Sequence, residues 1–272
     1  MTSDPSAQSS AVPELLRRQV EDAGINASAP TEQLWMDGWI VRYNPGKAKR
    51  ARCVNAVAPG LRPVADKLNA CEQLYQTHGL PLVVRITPFT QPPELDALLD
   101  AQGWDVFDES WVMVHPDLCT LNAWTQPSGV RASAVSNEVY AEVVGALRGS
   151  PQTQRSAHAQ RMATSPVPYR GVVWKRKGEG EDDSQQEVLA CGQYAREGEL
   201  VGLYDVFTAP QARGQGLARK LCASLLVQAR EEGARAAYLQ VEAGNATARA
   251  VYRRLGFVDA YPYHYRSAHE HP

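Results

Sequence analysis

The sequence lacks the features that would place it in a membrane, on nucleic acid or outside the cell. Although 44% of its 272 residues are hydrophobic, no apolar run approaches the roughly 18 to 20 residues that span a bilayer. Because 28 Lys and Arg residues face 30 Asp and Glu residues, the basic field typical of nucleic-acid-binding proteins is missing. The start, MTSDPSAQSSAVPE, has no cationic segment followed by an apolar one, as a secretory signal would. We therefore expect a cytoplasmic protein that binds neither nucleic acid nor a membrane.

Cysteine pairs and metal-ligand spacings are also missing. The five cysteines form no C-x-x-C pair and have no histidine at metal-ligand spacing, so we expect reduced, mostly buried thiols and no metal site. They are Cys53, Cys71, Cys119, Cys191 and Cys222. The one basic cluster, GKAKRAR at residues 46–52, favours a solvated hairpin or strand edge over a polyanion site.

Hydrophobic periodicity divides the chain into two parts. Residues 1–12 are rich in Ser, Ala and Pro and are predicted to be disordered. Residues 13–115 predict a short helix and then the order β-β-α-β-α-β. Residues 116–129 have little periodicity, two prolines and a glycine, which is typical of a linker.

The second part, residues 130–272, predicts the order β-α-α-β-β-β-α-β-α-β. Its last two helices are predicted over 214–233 and 245–256, and the acidic insert GEGEDDSQQ (178–186) is predicted to be a solvated loop. Because both parts end in β-α-β-α-β, we expect an α/β fold built from two copies of one architecture, with mixed central sheets flanked by helices.

A glycine-bearing turn joins a predicted strand to a predicted helix in TAPQARGQGLA, residues 208–218. Such a turn points free backbone N–H groups and the positive end of the helix dipole at one spot, which suits a phosphate group. Gly214 and Gly216 lack the Cβ atoms that would keep a pyrophosphate off the backbone. Arg213 or Arg219 could add a charged contact.

Two phosphate-binding motifs fit this turn poorly. The chain lacks the G-x-x-x-x-G-K-[ST] of a P-loop. The G-x-G-x-x-G of a dinucleotide fold would need a glycine where Arg219 stands. The next acidic strand end, Glu242, comes 28 residues after Gly214 rather than about 20. We therefore rank an enzyme that binds a dinucleotide last among the three hypotheses for this chain, and the two preferred ones are given below.

Coenzyme A is the third ligand that suits the turn. VFTAPQARGQGLARKLCASLL (206–226) resembles the central motif of the GNAT superfamily of acyl-CoA-dependent N-acyltransferases, [QR]-x-x-G-x-[GA], in two registers beginning at Gln211 and Arg213. VEAGNATARAVYRRLGF (241–257) resembles the second GNAT motif. The residues that match it are Asn245, Ala248, Tyr252, Gly256 and Phe257. The resemblance implies a GNAT fold, with a catalytic domain at 130–272 and a degenerate GNAT-like domain at 13–115.

The resemblance also implies acetyl-CoA as co-substrate and assigns its contacts. The strand before the turn would splay from its neighbour and pair with the pantetheine amides, and the turn would hold the pyrophosphate. The implied CoA-binding residues are Val206, Phe207, Thr208, Arg213, Gly214, Gln215, Gly216, Leu217, Ala218, Arg219, Asn245 and Ala248. Tyr252 would protonate the departing thiolate, and its alternative role is plain core packing. Asn245 is also expected to cap its helix.

An alkylamine is almost wholly protonated at pH 7, so a general base is useful. Glutamates of the fourth strand serve in some members of the family, but Leu200 aligns with that position, with Glu199 beside it. We predict Asp205 as the base because it lies close to the expected thioester, and pairing with a neighbouring arginine is its alternative role. His158 and His264 are weaker candidates.

The main hypothesis is an N-acetyltransferase that moves an acetyl group directly from acetyl-CoA to a primary amine of a small molecule, peptide or protein. We expect the first part to support the fold and to wall the acceptor pocket. Its stretch PFTQPP (88–93) carries prolines where we expect its phosphate turn. The missing glutamate leaves open a catalytically silent acyl-CoA-binding or regulatory protein. A homodimer is compatible with these patterns.

Overall fold

The computed structural model of the protein describes residues 12–121, 124–178 and 186–268. Its strands are β1 Gln33–Met36, β2 Trp39–Arg42, β3 Val54–Ala56, β4 Val84–Ile86, β5 Asp105–His115, β6 Val130–Val135, β7 Tyr169–Arg176, β8 Val188–Glu197, β9 Leu200–Thr208, β10 Ala236–Glu242 and β11 Val258–Ser267. Its helices are α1 Glu14–Ala27, α2 Val64–Thr77, α3 Leu95–Ala101, α4 Asn137–Leu147, α5 Gln152–Thr164, α6 Leu217–Glu231 and α7 Ala246–Arg253. Residues 1–11 of the predicted disordered segment and 179–185 of the acidic insert lie outside the described residues.

One mixed sheet holds all eleven strands, in the order β1-β2-β3-β4-β11-β5-β10-β9-β8-β7-β6. The predicted repeat is visible in its halves, because β3-α2-β4-α3-β5 in the first is matched by β9-α6-β10-α7-β11 in the second. In each half the first two strands of this unit pair in parallel. The expected α/β architecture with flanking helices is confirmed, and the sheets of the halves are joined into one.

The last strand of each half lies inside the other half. β5 pairs antiparallel with β10 and with β11. β11 in turn pairs antiparallel with β4. The sequence order suggested that each half completes its own sheet, whereas each is completed by a distant strand. The domain boundary at 116–129 stays a prediction.

Helices cover both faces of the sheet. From α1, α4 and α5, the buried side chains Val20, Tyr140 and Met162 share one hydrophobic cluster. From α6, Leu221 and Leu225 join a second cluster, against which α7 packs. The helices α2 and α3 enclose a third cluster at the first-half end of the sheet. No helix of the described segments has the length and apolar character to cross a membrane. All five cysteines are free, and only Cys119 is exposed.

Two predicted elements are shorter than expected for local reasons. The helix predicted from 214 begins at Leu217, because Gly214 and Gly216 adopt left-handed φ values of 78° and 72°. The strand predicted over 50–57 contains only Val54–Ala56, because a 3-10 helix at Lys49–Ala51 precedes it. The basic run 46–52 lies in the connection of the antiparallel β2–β3 hairpin, as the hairpin prediction requires, and a 3-10 turn forms part of that connection.

Candidate active site

The ends of β9 and β10 separate and open a wedge in the sheet. The two strands pair from Leu200 and Ala236 up to Leu203 and Leu239 only, although β9 continues to Thr208 and β10 to Glu242. The ends of the two strands, residues 204–208 and 240–242, do not pair with each other, and we call this pair of ends the splay. At its apex the hydroxyls of Tyr204 and Tyr238 lie 2.8 Å apart. The predicted separation of the strand before the glycine turn is present.

A bulge in β9 sets the side chains along the splay. Cys191 of β8 pairs with Phe207 and Gln193 with Tyr204, so the register shifts between them. Asp205 lies in this bulge at φ 49°, a left-handed conformation that is uncommon for a residue other than glycine. Val206 packs on the core beneath α6, whereas Phe207 packs on the opposite core.

The turn after β9 presents unused backbone donors. The amide of Lys220 donates to the Gly216 carbonyl at 3.2 Å. The amides from Gly214 to Ala218 donate to no group among the described residues. A Cβ built on Gly214 or Gly216 meets nothing within 4 Å, so the space over the turn is open. The turn therefore offers a cluster of N–H groups at a helix N-terminus, which is suited to an anion.

Polar side chains beside the turn fit a CoA ligand. The Thr208 hydroxyl oxygen at the end of β9 is buried and has no hydrogen-bond partner among the residues that the structure describes, a state that proteins rarely leave uncompensated. The Arg213 guanidinium lies 5.8 Å from the Phe207 ring centroid and donates to the Thr208 carbonyl at 3.4 Å. Arg219 is exposed on the first turn of α6. These groups surround the place where the resemblance puts pantetheine and pyrophosphate.

The second motif lies on α7, next to the turn. Asn245 is its N-cap, as expected, and its side chain accepts from the Ala248 amide at 3.0 Å. Tyr252 packs edge-on against Phe257 with ring centroids 6.0 Å apart, and its hydroxyl has no hydrogen-bond partner among the described residues. Burial, together with the nearby Cys222 thiol, raises the pKa of the Tyr252 phenol. The phenol therefore keeps its proton at neutral pH, as a general acid must.

Asp205 is held by several donors. Its carboxylate accepts from Arg148 at 2.9 Å and from Gln193 at 2.8 Å, and His158 Nε2 lies 3.2 Å from Oδ2. Burial alone would raise its pKa, but the His158 hydrogen bond and the His158, Arg148 and Arg161 charges hold the pKa well below its usual range. A carboxylate with so low a pKa is a weak base. The geometry favours a positioning role, and the base role of Asp205 stays a prediction.

Of the other residues considered for the base, only His158 lies at the splay. His158 lies on α5 beside Asp205 and lines a cavity at the splay. His264 of β11 lies 3.0 Å from Asp96 of α3 and does not line that cavity. Leu200 and Glu199 lie at the paired start of β9, at the opposite end of that strand from the turn.

The cavity at the splay has a volume of about 310 Å³ and is lined from both halves. We call it the cationic pocket, because four of its lining residues are Lys47, Arg50, Arg148 and Arg161. None of the four is a predicted site residue. The sequence pattern predicts a solvated role for the basic run that contains Lys47 and Arg50. Residues of the first half thus line this cavity, and their role as a wall of the acceptor pocket stays a prediction.

The first half has its own version of the glycine turn, and a side chain fills it. By topology this turn is the loop 57–63 between β3 and α2, not PFTQPP as predicted, because PFTQPP lies between β4 and α3. The Asp37 carboxylate accepts from the Leu61 amide at 2.8 and 3.0 Å and from the Arg62 amide at 2.8 Å. These backbone hydrogen bonds lower the Asp37 pKa. A protein carboxylate thus stands where an anionic ligand would bind.

Within residues 12–121, 124–178 and 186–268, no group of three or more His, Cys, Asp or Glu side chains is arranged to hold a metal ion.

Comparisons with known proteins agree with this arrangement. Residues 102–257, which begin just before β5, match the family model "Acetyltransferase (GNAT) family". Residues 17–161 match the model "Probable histone acetyltransferase Rv0428c C-terminal". The chain is 25% identical over 233 residues to the "Uncharacterized N-acetyltransferase YobR" of Bacillus subtilis (strain 168), covering 84% of this chain and 89% of that protein.

Solved structures share the fold. A GCN5-related N-acetyltransferase from Kribbella flavida superposes with a TM-score of 0.66 at 18% identity, covering 96% of this chain and 98% of that one. A tandem GNAT protein from the clavulanic acid biosynthesis pathway gives a TM-score of 0.59 at 15% identity, covering 76% and 70% of the two chains. The GNAT model spans more than half of the chain and includes the splay, the glycine turn and α7. The chain therefore belongs to the GNAT acetyltransferase family and is an acyltransferase.

Proposed function

We propose that the protein transfers the acetyl group of acetyl-CoA directly to a primary amine of an acceptor bound in the cationic pocket. The observation that carries this proposal is the splay, which leads to a turn of unused amides on one side and to the cationic pocket on the other. A thioester lying in the splay would be reached by an amine from the pocket without a covalent intermediate on the protein.

The contacts to acetyl-CoA are assigned to backbone groups that have no hydrogen-bond partner among the described residues. The amides from Gly214 to Ala218 would bind the pyrophosphate, and the unpaired edge of β9 at residues 206–208 would pair with pantetheine. A second cavity of about 430 Å³ lies between α6 and α7 and is lined by Arg219, Lys220, Arg253 and Arg254. Because it adjoins the first turn of α6, it would take the phosphorylated nucleoside end of CoA.

The proton steps are assigned to groups on opposite sides of the splay. His158, positioned by Asp205, takes the proton that the acceptor ammonium must lose. The amine nitrogen then attacks the thioester carbonyl, the carbon–sulfur bond breaks, and the nitrogen of the new amide loses its remaining extra proton to solvent. Tyr252 gives its proton to the departing sulfur, and solvent reprotonates the phenol. A base and an acid of this kind each contribute about 10²–10⁴ in rate.

Two variants test the donor site and the chemistry separately. We expect Gly216→Ala to weaken acetyl-CoA binding in isothermal titration, because a methyl group would occupy the space over the turn. Gly198→Ala is the matched control, since Gly198 also has a left-handed φ and open space around it but lies in the β8–β9 turn. We expect Tyr252→Phe to keep acetyl-CoA affinity and to lose about 10²–10⁴ in kcat for CoA release over an amine panel.

Two results would overturn the proposal. The first is an absence of acetyl-CoA binding by the folded wild type. The second is an amine panel in which wild type and Tyr252→Phe release CoA at the same rate.

A further inference from the structure

The net charge of the cationic pocket is positive, whereas that of the protein as a whole is negative. Its charged lining consists of Lys47, Arg50, Arg148 and Arg161 against the single carboxylate of Asp205, while the whole chain has a net charge of -2. Positive charge concentrated in a concave site raises the local concentration of anions. The pocket is therefore built for an acceptor that differs from a simple alkylammonium ion.

The one carboxylate of the pocket is already neutralised. Asp205 accepts from Arg148 and lies against His158, and its pKa stays low for the reasons given above. An acceptor ammonium would therefore find no free anionic partner on the lining of the pocket. The positive charge of Arg148 is likewise used by Asp205, which leaves three other cations facing the cavity.

Those three cations form no ion pair within 4 Å among the described residues, although the Arg161 charge acts on Asp205 from a greater distance. Arg50 donates to the neutral Gln240 side chain and lies 5.8 Å from the Tyr204 ring centroid, so it bridges the two strands of the splay. Arg161 lies 5.9 Å from the Tyr169 ring centroid. Lys47 is exposed at the rim. Because proteins pair cations that they partly bury, Arg50 and Arg161 call for an anion from the ligand, and Lys47 adds a third positive charge at the rim.

We propose that the acceptor is a small amine that also carries an anionic group, a carboxylate or a phosphate ester, which Arg161, Lys47 and Arg50 bind. This inference rests on the proposed function, and it names the substrate class of the same site. A guanidinium holds either anion through paired hydrogen bonds, which gives orientation as well as affinity. Anchoring the anion would direct the amine of the same molecule toward His158 and the splay.

A lysine-rich peptide is the contrasting acceptor. One family model that matches this chain carries the words "probable histone acetyltransferase" in its description. A polycationic tail would meet the unpaired cations of the pocket and would be repelled by them. Free amines with an anionic group and cationic peptides therefore give opposite expectations in one assay.

The test measures CoA release with the full-length protein on matched acceptor pairs. Each pair consists of an amino acid with its carboxamide, or glucosamine 6-phosphate with glucosamine, and a lysine-rich peptide is included. We expect the anionic member of at least one pair to have a kcat/KM about tenfold to a hundredfold higher, because a charged hydrogen bond that is lost costs that factor. The amino-acid and sugar pairs distinguish carboxylate from phosphate recognition.

Variants show whether the preference comes from the pocket. We expect Arg161→Met and Lys47→Met each to raise KM for the anionic acceptor about tenfold and to leave KM for its neutral partner unchanged. Arg170→Met, on the exposed part of β7, is the matched control and should change neither value. Lys47 is an exposed loop residue, so that variant is expected to fold even if Arg161→Met does not.

Two outcomes would overturn this inference while acetyl-CoA binding and CoA release stand. One is equal or better turnover of the neutral or cationic acceptors. The other is an anionic preference that survives in both pocket variants. A failure of all amines to release CoA, together with no acetyl-CoA binding, would instead overturn the proposed function.

Discussion

Replacing Glu21 by Gln should destabilise the fold strongly, because it removes the counter-charge of a buried arginine. Glu21 of α1 pairs with the Arg85 guanidinium of β4 and accepts from the Tyr261 hydroxyl of β11 at 2.9 Å. The carboxylate and guanidinium side chains are only 9% and 4% exposed. Burial lowers the Arg85 pKa, but the Glu21 charge and hydrogen bond outweigh it and raise the pKa overall. The pair also connects α1 to strands of both halves.

The magnitude follows from the uncompensated cation. Removing one partner of a buried ion pair costs about 3–5 kcal/mol, whereas replacing both partners by apolar groups of similar volume is close to neutral. At about 2–4 °C for each kcal/mol, the single variant should lower Tm by roughly 6–20 °C. The double variant Glu21→Gln, Arg85→Met should recover part of that loss, because it removes both charges but leaves one amide group buried.

Thermal and urea unfolding of wild type, both single variants and the double variant would measure this cycle. Unfolding must be reversible for the free energies to be compared. The reasoning fails if Glu21→Gln lies within 1 kcal/mol of wild type, or if the double variant is less stable than both single variants. The first result would mean that water or another group solvates Arg85, and the second would mean that the site does not accommodate the loss of both charges.

Two further predictions concern the base and the filled turn of the first half. His158→Gln should lower kcat for CoA release by about 10²–10⁴ with acetyl-CoA affinity retained, and an unchanged rate would exclude His158 as the base. Asp37→Asn should reduce stability at neutral pH, because an amide is a weaker acceptor for the Leu61 and Arg62 amides and leaves the buried Lys67 without its counter-charge. Since the folded-state pKa of Asp37 is below its ordinary 3.8, its contribution is complete above that value and is lost as the pH falls through the folded-state pKa. Urea unfolding from pH 7 to pH 2.5 should therefore show the two proteins converging in acid, and a constant difference would refute the assignment.

The geometry of the glycine turn and of α7 was predictable because it is local, and the CoA contacts of these residues stay predictions. The turn at Gly214 and Gly216 and the α7 residues Asn245 and Tyr252 belong to one β-α-β-α stretch, and residue spacing along such a stretch determines what faces the ligand. The N-cap role of Asn245 follows from its residue type and position in the same way.

The cationic pocket was not predictable because it is assembled from distant segments. Lys47 and Arg50 come from the first half, whereas Arg148 is the C-cap of α4 and Arg161 belongs to α5. No periodicity or spacing relates these segments, so the basic run was taken for solvated surface. The bulge that directs the Asp205 side chain toward Arg148 requires a positive φ at a residue that rarely adopts one. The placement of β5 and β11 in each other's halves is likewise a long-range pairing.

That placement of β5 and β11 has a consequence for synthesis on the ribosome. The first half cannot fill the gap beside β4 until β11, which follows it by more than 170 residues, has emerged. Domains usually fold in order as they are translated, but here the edge of β4 stays open while the whole second half is being made. The nascent chain would hold β4 and β5 apart with unpaired backbone groups, which are sites for misassembly. A ribosome-stalled chain that stops before β11 should therefore be a substrate for chaperones.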